Sequence, residues 1–63
     1  MSTTAAELRR HLATAEFPLA RDEVVRAAVR SGADDVVIAV LRALPPVEYA
    51  SFDEVLASAE LHA

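Results

Sequence analysis

The sequence predicts an all-α fold: a compact single domain of four short helices with the third helix central. Apolar side chains recur at helical spacing in four separate stretches. Strong breakers divide those stretches, namely Phe17-Pro18, Ser31-Gly32 and Pro45-Pro46. The longest apolar run, from Val36 to Leu44, does not alternate and has no second strand elsewhere to pair with.

The first helix is expected over residues 4–15. Thr4-Ala5-Ala6-Glu7 fits a capping box, in which the Thr hydroxyl accepts from the third helical N–H and Glu7 reaches back. Ala5, Leu8, Leu12 and Ala15 share one face, with Glu7, Arg10 and Thr14 on the other. Met1-Ser2-Thr3 is read as a frayed tail. Pro18 disfavours helical geometry at Phe17, so the helix must end before it. Phe17 is then expected to fold back as an aromatic anchor of the core.

The second helix, residues 20–31, opens with Asp22 and Glu23, where free backbone N–H groups favour negative charge. Its expected apolar face is Val24, Val25, Ala28 and Val29. Asp22, Arg26 and Arg30 step along the opposite face at i,i+4 spacing, where each ion pair adds roughly a few tenths of a kcal/mol. Gly32 is free to take the left-handed conformation that closes a helix.

The third helix, residues 33–44, places Val36, Val37, Val40, Leu41 and Leu44 on one arc at about 100° per residue, and Ile38 extends it. So wide an arc predicts packing on more than one side. Asp34 and Asp35 suit its first turn, and Asp35 with Arg42 forms its narrow polar wedge. The β-branched run Val36-Val37-Ile38 lowers helix propensity, so tertiary burial must hold this helix. After the two prolines, Val47-Glu48-Tyr49-Ala50 reads as an extended or turn-like linker. Ser51-Phe52-Asp53-Glu54 is a second capping box. It opens a fourth helix over residues 51–61 with the stripe Phe52, Val55, Leu56 and Ala59, and Glu60-Leu61-His62-Ala63 is expected to fray.

Taken in order, Leu8 and Leu12, Glu16-Phe17-Pro18, Ser31-Gly32-Ala33-Asp34, Leu41-Arg42-Ala43-Leu44-Pro45, Glu48-Tyr49-Ala50-Ser51 and Val55 make a recognisable pattern. It resembles the bacterial domain-of-unknown-function family 2795 over roughly residues 7–59. The resemblance implies a small all-helical domain and brings no known activity, cofactor or catalytic residue.

At 63 residues the chain is one domain and buries only about 60% of its unfolded surface. Apolar residues make up 54%, but many are Ala, so Leu, Val, Ile38, Phe17, Phe52 and Tyr49 must supply the core. There is no cysteine, hence no disulfide and no thiolate metal site. Net charge is −4, and Glu48, Asp53, Glu54 and Glu60, in a segment without Lys or Arg, supply the excess. That balance opposes binding to phosphate backbones and anionic membranes. No stretch reaches membrane-spanning length and no signal-peptide pattern opens the chain, so a cytoplasmic protein is expected.

The residues that could carry chemistry read as fold determinants. His11 and His62 lie at opposite ends of the chain and suit solvated positions, His11 beside Glu7 at i+4. Ser51 reads as a helix cap, no nucleophile elbow is present, and a single Gly excludes a glycine-rich phosphate cradle. Asp22-Glu23, Asp34-Asp35 and Asp53-Glu54 all fall in first turns. No catalytic, metal-ligating or cofactor-binding residue is therefore expected, and the chain is not read as an enzyme. Arg21, Arg26 and Arg30 around two helices joined at Gly32 loosely suit a helix-turn-helix. The second of those helices is too apolar to read base edges, and Arg26 and Arg30 have carboxylate neighbours in sequence. The expected function is a non-enzymatic protein-interaction or regulatory adaptor module with a protein partner; Ile38 and Val47 either form a homodimer interface or Ile38 packs under the Val47–Ala50 linker. A small nucleic-acid-associated protein is the alternative.

Overall fold

The computed structural model describes residues 5–59. The expected Thr4 capping box, the N-terminal tail, Glu60-Leu61-His62-Ala63 and the end of the fourth helix fall outside them. The element order is α1 (Ala5–His11), β1 (Leu19–Ala20), α2 (Arg21–Arg30), α3 (Asp35–Arg42), β2 (Glu48–Tyr49) and α4 (Phe52–Ser58).

The four expected helices are present and each is shorter than its periodicity implied. α1 gives way after His11 to a turn held by Leu12 N–H on Leu8 O at 2.9 Å and Ala15 N–H on Leu12 O at 3.1 Å. Leu12 stays buried, so the apolar stripe continues where the regular helix does not. The all-α expectation needs correcting in one respect. β1 and β2 pair antiparallel, Leu19 opposite Tyr49 and Ala20 opposite Glu48. Arg21 N–H extends the pairing onto Val47 O at 3.2 Å. Each strand follows a proline-bearing break, and the two extended pieces satisfy each other's backbone groups. The peptide bond between Phe17 and Pro18 is cis.

The α2–α3 junction is the most regular turn in the chain. Ser31 caps α2, Gly32 N–H donates to Val29 O and Ala33 N–H to Ala28 O, both at 3.0 Å. These two bonds are a Schellman motif, with Gly32 at φ +84° as its left-handed residue. A Cβ at Gly32 would meet nothing within 4 Å, so backbone conformation alone selects glycine. Asp34 then caps α3 by accepting from Val37 N–H at 3.0 Å.

The core comprises Leu8 and Leu12 from the α1 segment, Val24, Val25 and Ala28 from α2, Val37, Leu41 and Leu44 from the α3 segment, Tyr49 from β2, and Val55 and Leu56 from α4, with Ala5 at its edge. The centre is shared differently from the expectation. α2 packs on α3, β1 and α1, which makes it the hub, while α3 packs mainly on α2. The arc of α3 is correspondingly narrower. Val37 and Leu41 are buried, Val40 is half-buried, and Val36 is 44% exposed. Val29, placed by periodicity on the apolar face of α2, is 52% exposed. Phe17 and Phe52 do pack on the core but remain half-buried, as does Ile38. The aromatic that fills the interior is Tyr49, whose hydroxyl donates to Pro45 O at 2.7 Å.

Candidate functional site

The expected capping box at Ser51 closes differently from its sequence pattern, and α2 opens on a cap that the sequence reading does not name. Ser51 stands at the N-cap of α4 but its hydroxyl makes no cap bond, and Glu54 accepts from Ala50 N–H at 3.2 Å. Glu23 does the same for Ala20 N–H at 3.0 Å, where alanine leaves the reciprocal half of the box empty. Asp34 and Glu23 thus each give one carboxylate oxygen to a backbone donor.

The arginines divide into two kinds. Arg21 is tied down. Its Nη1 donates to the Arg42 and Leu44 carbonyls at 3.3 and 3.4 Å, which joins the start of α2 to the end of α3. Its Nε and Nη2 lie on Asp22 Oδ1, both at 3.2 Å. Arg9 sits over the Phe52 ring, 5.0 Å from its centroid, and bridges α1 to α4. Asp22 therefore faces Arg21 and not Arg26, which removes the expected ion-pair ladder along α2. Among the described residues Arg10, Arg26 and Arg30 have no hydrogen-bonded or ion-paired partner.

Those three side chains meet in one groove of about 670 Å³ between α1 and α2. Its lining runs from Arg10, His11, Arg30 and Ser31 at one end to Glu16, Leu19 and Glu23 at the other, with Ala15, Ala27 and Arg26 between. The two ends are fixed by local structure. The basic end holds the C-termini of α1 and α2, where carbonyl dipoles favour cations. The other end is the start of α2, where β1 enters. A second groove of about 500 Å³, lined by Arg21, Asp22, Val25, Arg26 and Arg42, adjoins the first through Arg26.

His11 and Ser31, twenty residues apart, are brought together at the basic end, with Nδ1 2.8 Å from Oγ. The sequence pairs His11 with Glu7 by spacing and gives no sign of Ser31, because the contact is tertiary. A Ser–His pair invites comparison with a nucleophile and its base. The N–H groups beside Ser31 are all in use, however. Ser31 N–H donates to Ala27 O, Gly32 N–H to Val29 O and Ala33 N–H to Ala28 O. None of these three backbone N–H groups is left to bind an oxyanion. The contact links the C-terminal ends of α1 and α2. Asp22-Glu23 and Asp53-Glu54 lie in the first turns of α2 and α4, and Asp34 caps α3, which Asp35 opens. His62 lies outside the described residues. Among the described residues no three His, Cys, Asp or Glu side chains converge as metal ligands. No helix among them is long and apolar enough to cross a membrane.

A family model described as "Protein of unknown function (DUF2795)" matches residues 3–56. No match is found among curated proteins or among solved structures.

Proposed function

The chain belongs to this family of proteins of unknown function (DUF2795), and from that premise we propose that it is a non-enzymatic protein-interaction module, an adaptor whose binding face is the α1–α2 groove. One observation carries the proposal. Arg10, Arg26 and Arg30 converge on that groove without a carboxylate partner among the described residues. Arginine forks without partners, above a small apolar floor of Ala15, Leu19 and Ala27, suit a protein surface that presents acids around an apolar contact. The use of every backbone donor around Ser31 supports a binding role over a catalytic one.

Affinity capture from the native host tests this with the wild-type chain and Arg30→Glu side by side. The wild type should retain a reproducible partner that Arg30→Glu loses. Identical capture by both ends the proposal.

A second reading, a nucleic-acid-associated protein, is favoured by one fact. Five of the six arginines line the two adjoining grooves. Against it stand a net charge of −4 and an α3 whose exposed side chains include Val36. Gel-shift titration with duplex and single-stranded DNA at low salt should show no complex. A salt-sensitive shift would favour this second reading.

A further inference from the structure

The α1–α2 groove has a polarity that an acid-binding groove does not need. Arg30 stands in the last turn of α2 with Arg10 next to the His11–Ser31 contact, Glu23 stands in the first turn of α2, and Glu16 also lines the groove. Glu23 and Arg30 are seven residues apart on one helix, hence about 10 Å apart along its axis. A uniformly acidic ligand would be repelled by the glutamate end. The surface that matches this pattern is the same groove turned end for end. We infer that the occupant of the groove is a second copy of this chain, docked antiparallel across a two-fold axis so that Arg10 and Arg30 of each copy face Glu16 and Glu23 of the other. This deepens the interaction reading above and rests on the groove being the binding face.

The two-fold arrangement follows from self-complementarity. In such an interface each residue pair occurs twice, once in each direction, so one opposed Arg–Glu pattern supplies both halves of the contact. Ala15 and Ala27, with Arg26 beside them, lie between the charged ends and give the middle of the contact a floor of small side chains. A docked copy would also give Arg10 and Arg30 the carboxylates they lack within the chain. Glu16 is exposed and has no partner among the described residues, so it is free to serve. This surface differs from the one Ile38 and Val47 would offer; of those two, Ile38 packs against the core and Val47 is 53% exposed.

Light scattering and sedimentation over a concentration range provide the test. At low salt the wild-type mass should rise to twice the monomer and stop there. Arg30→Glu and Glu16→Arg should each weaken association by about tenfold or more, and the double variant should recover it, because the swap keeps opposite charges opposed. Near 1 M salt, where screening acts over ~3 Å, the wild type should return to monomer. Circular dichroism checks that each variant is folded, and if one is not, the salt series on the wild type decides alone. Any one of these results of the association series overturns the inference: a strict monomer at millimolar concentration, growth beyond the dimer, insensitivity to salt, or a folded double variant no better than either single one. A strict monomer whose partner capture still depends on Arg30 rejects the dimer and leaves the interaction reading standing. Capture indifferent to Arg30 rejects that reading itself. Tight DNA binding through the same arginines would give the groove to nucleic acid and overturn the dimer.

Discussion

Tyr49 shows how one side chain can serve two structural ends. Its ring lies in the core at 2% exposure, and its hydroxyl donates to Pro45 O. The same carbonyl accepts Val47 N–H at 2.8 Å, so removing the hydroxyl leaves it partnered. Tyr49→Phe should therefore cost only about 1 kcal/mol. Tyr49→Ala should cost roughly 3–5 kcal/mol, the usual loss for a buried aromatic, which is enough to unfold a domain of this size. Urea denaturation separates the two, and a Tyr49→Phe variant as damaged as Tyr49→Ala would show the hydroxyl, not the ring, to be the essential part. Gly32 is a purer case. A Cβ at this position would have nothing within 4 Å, yet φ is +84°. Gly32→Ala should cost about 1–2 kcal/mol through backbone conformation alone. An unchanged midpoint would mean that the turn relaxes to another conformation.

Neighbouring positions on α3 differ sharply. Val36 is 44% exposed and Val37 is 1% exposed. Val37→Asp puts an unpaired charge in the core and should leave the chain unfolded, whereas Val36→Asp should stay within about 0.5 kcal/mol of the wild type. Half-buried Val40→Asp should fall between them. Chemical denaturation of the three variants gives the order, and equal effects at Val36 and Val37 would contradict the observed face of the helix. The same helix marks how far sequence reading reaches. A 3.6-residue period locates a helix and its stops, and Gly32, Asp34 and the prolines end or cap elements where their chemistry says they should. Period alone does not tell which part of a wide apolar arc meets a neighbour, so Val36 and Val29 read as core and lie outside it. β1 and β2 are two residues each, too short to show any period. Their pairing joins segments far apart in the chain, as does the His11–Ser31 clasp. The groove was only partly legible. Its arginines are visible in the sequence, but Arg26 lacks a partner because Asp22 turns to Arg21, a choice that i,i+4 spacing does not reveal.

Charge acts on the molecule as a whole, and its effect on stability should reverse sign with protein concentration. An isolated chain carries a net charge of −4 and clusters Arg10, Arg26 and Arg30 along one groove. Both features are repulsive in the folded state, and salt screens them. The attraction lost in exchange is small, because the Arg21–Asp22 ion pair is exposed, with Asp22 at 72%. At micromolar concentration the melting temperature should therefore rise as salt is added. Association changes the balance. A dimer stabilises the folded state by mass action, and one held by opposed arginines and glutamates weakens as salt screens them. At millimolar concentration the melting temperature should begin higher and fall with added salt, until the two series converge near the value of the screened monomer. Arg30→Glu should remove the concentration dependence. Because it takes the net charge from −4 to −6, its melting temperature should rise with added salt at both protein concentrations. Calorimetry at two protein concentrations over a salt series measures all of this at once, and parallel curves for the two wild-type concentrations would show that the groove contributes no self-association to stability.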